Sequence, residues 1–282
     1  MKIRCLFLLL IASLVFAGDD VEPSYISPTA DPNLSKQTIS AILKAACDGD
    51  VDGGSCSVCP GSSDKVPWTI SGLVTGHFSS PQAEEAFAGV GSCFYPSSAN
   101  PLALLLGKRD GKWTKLQEIL AFEPGKCMRR KFRSGRDFLI CESYDYSRDG
   151  ERFYSLSTLM VEKDEPKFHN LFLAADNTRV CFEGKAQKAE AKDVEFRDLN
   201  GDGLEDISIT ATYGSFHMSG KMQEQCEAAE DDYIQSDVRK PKIFFPGPRM
   251  IKTYKIDLLF DGNRYTPTPE SRAAVALFHW GR

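Results

Sequence analysis

The sequence predicts a mainly β fold, antiparallel and repeat-like, built of partial or degenerate propeller-like blades with one short N-terminal helix. Three observations carry this. Beyond residue 66, short apolar or alternating runs follow one another, each closed by Gly, Asp, Asn or Pro, the punctuation of strands and tight turns. One early stretch has helical spacing. Of 282 residues, 42% are apolar and 11% aromatic, with 26% charged residues of both signs, enough for a packed core and too apolar for a disordered chain.

At the start of the chain, Lys2 and Arg4 precede an almost unbroken apolar run from Cys5 to Phe16, and Val15-Phe16-Ala17 ends it on compact residues. This pattern reads as a secretory signal peptide over residues 1–17, cut after Ala17. The run is shorter than the roughly 20 residues of a spanning helix, and no later segment is long and apolar enough to span. The expected location is therefore secreted or periplasmic. Removing Lys2 and Arg4 takes the net charge from −5 to −7. A mildly acidic chain argues against nucleic acid as a partner, since affinity for it comes from Lys and Arg neutralising phosphates. A local exception, Lys126, Arg129, Arg130, Lys131, Arg133 and Arg136, reads as a solvated strand or loop face, with an anionic ligand as the alternative.

Residues 18–66 form a loose arm, a short helix and a Cys-rich loop. Ser35 is a candidate N-cap, and Ile39, Ile42, Leu43 and Ala46 recur at helical spacing, which predicts a helix over Ser35 to Ala46. Export would leave eight cysteines, an even set best read as four disulfides. Cys127 and Cys141 flank a predicted hairpin and should pair. Cys181 with Cys226 would tie down the segment after residue 213, leaving Cys47, Cys56, Cys59 and Cys93 to pair among themselves. Zinc or redox chemistry at Cys56-Ser57-Val58-Cys59 is the alternative, but that pair follows an acidic Gly-rich loop and precedes Pro60, where no helix start would lower a thiol pKa.

Residues 67–282 form the β-rich domain with about three repeat-like units. Strands are expected at Trp68 to Gly76, Glu85 to Val90, Leu102 to Gly107, Asp137 to Ser143, Phe153 to Val161, Lys167 to Ala174, Val194 to Arg197, Ile207 to Tyr213, Thr253 to Phe260 and Ala273 to Phe278. Phe78, Phe132 and Phe196 each precede a polar turn and an apolar strand. Each unit closes on an apolar strand, a polar turn and an aromatic, namely Trp113, Phe168 and Tyr265. The third unit is longer by a stretch expected between Gly214 and Pro248. Units of this size suggest blades that stack on one another, although three are fewer than a closed propeller needs, and chance spacing in an ordinary antiparallel protein is the competing reading.

The stretch from Arg197 to Ile207 carries the most specific chemistry. Side-chain oxygens of Asp198, Asn200 and Asp202 alternate with small or outward residues, Gly203 permits a sharp turn, Leu204 offers its carbonyl and Asp206 closes the set. These are hard oxygen ligands in the number that Ca²⁺ prefers, and Mg²⁺ fits less well. Ile209 stands where an EF-hand needs its Glu, and the flanks alternate as strands do. D-x-N-x-D-G-x-x-D between alternating strands resembles the calcium loop of FG-GAP and VCBS-type repeats of integrin-like propellers, over about fifteen residues. The resemblance implies a structural calcium ion held by Asp198, Asn200, Asp202, Leu204 and Asp206; the first two units lack the acidic ladder. A weaker acidic run, Asp48, Asp50 and Asp52, reads as a solvated turn, with a second ion as the alternative.

No catalytic motif stands out, and His77, His169, His217 and His279 read as structural or surface residues. The leading expectation is a non-catalytic interaction module for a protein or glycan partner. A secreted hydrolase acting on glycans or peptides is the alternative, which a concave pocket with two convergent carboxylates, or His77 or His217 beside a Ser or carboxylate, would favour. A third is an envelope protein that only maintains structure or inhibits a partner.

Overall fold

The computed structural model describes residues 34–48, 51–52, 55–57, 68–91, 102–120, 122–146, 151–163, 165–178, 184–235 and 248–278. The expected signal peptide, Asp50, Cys59, Cys93, Cys181 and His279 lie outside them. The fold is mainly β and antiparallel.

Helix α1 (Lys36–Ala46) starts as expected: the Ser35 hydroxyl accepts the Thr38 N–H at 3.1 Å. Ile42 and Ala46 are its buried face. A two-residue hairpin, β1 (Val51–Asp52) and β2 (Ser55–Cys56), follows, and a disulfide from Cys47 to Cys56 ties it to the helix end.

Three four-stranded antiparallel meanders make up the rest. The first comprises β3 (Thr69–Gly76), β4 (Glu85–Gly91), β5 (Leu102–Arg109) and β6 (Lys112–Leu120). A single 3₁₀ turn, Pro124–Lys126, leads to the second, β7 (Cys127–Lys131), β8 (Asp137–Tyr146), β9 (Arg152–Glu162) and β10 (Glu165–Asp176). The third comprises β11 (Gly184–Arg197), β12 (Asp206–Met218), helix α2 (Gly220–Gln235), β13 (Lys252–Phe260) and β14 (Tyr265–Pro267), and helix α3 (Pro269–Phe278) ends the described chain. The described part of the extra stretch, residues 214–235, is thus the end of an extended β12 and a helix.

Alternation along the strands shows how the meanders stack. On β8, Phe138 and Ile140 join the core shared with the third meander, while Leu139 and Cys141 join the core shared with the first. The second meander is therefore covered on both faces. On the first, Phe87 and Leu105 face the second meander, while Ala86, Ala88, Leu104 and Leu106 pack against Ile42 and Ala46 of α1. The order is helix, sheet, sheet, sheet. The second and third meanders share one eight-stranded hydrogen-bonded sheet, but β10 and β11 register at a single pair, Asp176 with Lys188. There the sheet folds over, so that Ile207 and Ile209 of β12 meet Phe138 and Ile140. The repeat units of the sequence are blade-like layers, and no closed propeller forms among the described residues.

An acidic residue opens the second strand of every meander and is buried: Glu85, Asp137 and Asp206 are 5%, 4% and 0% exposed. Glu85 Oε2 accepts the N–H groups of Phe78 and Ser79 at 2.8 and 2.7 Å, folding its own loop. Asp137 Oδ2 accepts the His77 N–H at 2.8 Å, and its own N–H donates to the His77 carbonyl at 2.8 Å, joining the first two layers. Asp206 is held from both sides, as described below. A carboxylate satisfied by backbone N–H groups is how a charge tolerates burial.

Several expectations need correction. Ala273 to Phe278 is not a strand but the end of α3. Thr268 caps that helix, its carbonyl and hydroxyl accepting the Ser271 N–H at 3.0 and 3.3 Å, and Pro269 stands at the first helical position. Ala274, Val275 and Phe278 are its buried stripe. Helices therefore occur at more than the N-terminus. The strand expected at Val194 to Arg197 runs from Gly184, because its core-facing residues Ala189 and Ala191 are too small to mark an alternation. β6, β7 and β14 were not among the expected strands.

Cys127 and Cys141 are bonded, as expected, and stand opposite each other in the β7–β8 register. Cys226 is also disulfide-bonded. The cationic run divides: Lys126, Lys131 and Arg133 are solvated, as expected, whereas Arg129, Arg130 and Arg136 are spent on contacts within the fold. Arg129 donates to the Thr75 carbonyl in the first meander, Arg130 pairs with Glu205 in the third at 2.6 Å, and Arg136 donates to the Val161 carbonyl at 3.2 Å. Arg129 and Arg130 thus fasten the middle layer to its neighbours, and Arg136 braces that layer internally.

Candidate functional site

The loop 198–205 joins β11 to β12 as a strand hairpin, the expected setting. Its polar side chains form a ladder of turns. Asp198 Oδ1 accepts the Gly201 N–H at 2.7 Å and its Oδ2 the Gly203 N–H at 2.8 Å. Asn200 Oδ1 accepts the Asp202 N–H at 2.9 Å, and Asp202 Oδ1 the Leu204 N–H at 2.9 Å. The Gly203 N–H above all, with those of Gly201, Asn200 and Asp202, holds the Asp198 carboxyl below the usual carboxylate range. Gly201 and Gly203 adopt φ of +80° and +81°, the left-handed region where glycine is unstrained.

Asp198, Asn200 and Asp202 are exposed, Leu204 is half-buried and Asp206 is fully buried. Asp206 Oδ2 accepts the Leu199 N–H at 2.9 Å, and Oδ1 accepts the Phe260 N–H at 2.7 Å. It locks the loop to β13. Beside it, the Tyr265 hydroxyl donates to the Glu205 carbonyl at 3.1 Å, and burial pushes its pKa well up. Among the described residues, no three His, Cys, Asp or Glu side chains converge as a metal-holding group. That grouping does not count Asn200 or the Leu204 carbonyl, which the calcium arrangement would use. Asp48 of the second acidic run pairs with Lys115 at 3.0 Å.

A separate pocket of about 300 Å³ lies where the N-terminus of α1, the first meander and β7 meet. His77, Glu84, Glu85, Trp113, Arg129 and Thr38 line it. Among the described histidines, His77 alone is brought there; His169 is exposed beside Glu162 at 3.4 Å, and His217 is exposed on β12. Glu84 and Glu85 are adjacent in sequence, so composition offered no reason to prefer them over other carboxylates. Pairing within the first meander brings Trp113 of β6 to His77, and only the stacking of the layers adds Arg129 of β7.

The chain matches no protein-family model and no curated protein.

Proposed function

We propose that this chain is an exported, disulfide-stabilised β protein of the FG-GAP and VCBS kind, which binds one structural calcium ion at Asp198–Asp206 and works as a non-catalytic binding module for a protein or glycan partner. One observation carries the ion. Asp198, Asn200 and Asp202 already hold the successive backbone turns that a calcium loop requires, and each side-chain oxygen that accepts an N–H keeps a further lone pair. Asp198, Asn200, Asp202, the Leu204 carbonyl and Asp206 would hold the ion, whose charge offsets the mutual repulsion of three carboxylates. The disulfides at Cys47–Cys56 and Cys127–Cys141 support an oxidising compartment.

The experiment is a melting curve of the mature protein in chelator and in millimolar calcium. At a hundredfold excess over Kd, binding adds about 2.7 kcal/mol. Asp202→Ala should abolish the shift without unfolding the chain. A melting curve that ignores calcium refutes the ion.

The hydrolase reading draws on one observation, the pocket that joins His77 to Glu84 and Glu85. Glu84 pairs with Lys108 at 2.7 Å, and Oε2 of Glu85 folds its own loop. This suits a rigid binding wall better than a pair of groups exchanging protons with substrate.

A further inference from the structure

We infer that the pocket between α1, the first meander and β7 is a binding site for a single neutral sugar ring, separate from the calcium loop. Its volume, about 300 Å³, is at the small end of ligand pockets and suits one ring better than a chain of them. What selects the ligand is the hydrogen-bonding capacity left over after the fold has used its share. Glu85 lines the pocket and is only 5% exposed, and both of its backbone donors go to Oε2, so Oε1 has no partner among the described residues. A carboxylate oxygen in such a position needs a donor from a ligand or from water.

His77 Nδ1 donates to the Ala83 carbonyl, so Nε2 is the nitrogen that can accept whenever the ring is neutral. Trp113 supplies an indole N–H donor and an aromatic wall. Two acceptors and one donor beside an aromatic surface match a ring with vicinal hydroxyls, each able to donate and accept, and with an apolar C–H face. The charges argue against an ion. Glu84 pairs with Lys108, and Glu85 and Arg129 bring opposite charges to the same pocket, so its wall carries no single sign of charge. The position of the pocket also matters. Asp137 and His77 clamp the two layers together beneath it, so the site is rigid before any ligand arrives.

A ligand of about a dozen non-hydrogen atoms with three free partners reaches a Kd on the order of 1 mM. The test is saturation-transfer NMR and calorimetry on the mature protein with glucose, galactose, mannose and N-acetylglucosamine, and with inorganic phosphate and ethylamine for comparison. Saturable binding of at least one sugar is expected, weakened about tenfold by Trp113→Phe and by Glu85→Gln. Gln at residue 85 keeps an oxygen for the Phe78 and Ser79 N–H groups, and Trp113→Phe keeps the reading testable should that variant unfold. No saturable sugar binding up to about 10 mM, preference for phosphate or ethylamine, or sugar binding unchanged by Trp113→Phe each overturns the inference.

Discussion

Replacing Asp206 with Ala should damage the protein far more than replacing any other acid of its loop, and should do so without calcium. Asp206 is fully buried and accepts the Leu199 and Phe260 N–H groups at 2.9 and 2.7 Å. Hydrogen bonds to a charged group contribute about 1.5–3 kcal/mol each, and their loss leaves two N–H groups without acceptors, that of Phe260 in the buried core. The expected cost is therefore about 3–5 kcal/mol, or ~10 °C in Tm for a chain of this size. Asp206→Asn keeps one carbonyl acceptor and should lose about half as much. Asp202 is exposed, so Asp202→Ala in chelator should cost under about 1 kcal/mol. Urea unfolding followed by circular dichroism and tryptophan fluorescence, with calcium chelated, measures both from shifts in midpoint at constant slope. If Asp206→Ala and Asp202→Ala lie within about 1 kcal/mol of each other, the buried carboxylate is not the latch between β12 and β13.

Gly72→Ala should destabilise by about 1–3 kcal/mol, because the added Cβ would stand 2.6 Å from the Gly125 backbone nitrogen, which cannot swing aside; thermal unfolding reads the loss, and an unchanged Tm refutes the close approach. Opening the Cys127 to Cys141 bridge by a double Ala substitution should cost about 3 kcal/mol, given a sequence separation of 14; equilibrium unfolding beside the wild type under non-reducing conditions checks it. Tyr265, whose pKa burial raises, should remain a phenol in the folded chain above pH 10, where the unfolded chain ionises. The unfolded state then binds fewer protons, so this stability is complete below pH 10 and declines as pH rises beyond it. Ultraviolet titration of wild type against Tyr265→Phe should show one tyrosine missing from the early ionisation, and identical titrations below the alkaline unfolding transition would contradict the burial argument.

The β class, the first helix, the Cys127 to Cys141 bridge and the three-unit rhythm were legible along the chain because each rests on local rules. Ser35 caps from three residues away, alternating strands show their period, and Phe78, Phe132 and Phe196 mark corresponding loops. Legibility failed where the signal was small or lay outside the apolar pattern. β11 faces its core with alanines, α2 is polar almost throughout, and α3 is announced by Thr268-Pro269 more than by its apolar residues.

Of the candidate calcium loop, the sequence by itself determined the ladder of Asp198, Asn200 and Asp202, since a turn is written in neighbouring residues. Only tertiary structure separated Asp206 from that ladder, because its second partner, Phe260, lies 54 residues away. The same holds for the cations of β7 and for the pocket. Whether Arg130 is solvated or spent on Glu205, and whether Arg129 joins His77 and Glu85 at the pocket, depends on which layers stack. Layer stacking is set by the summed burial of many side chains, a quantity that no local motif contains.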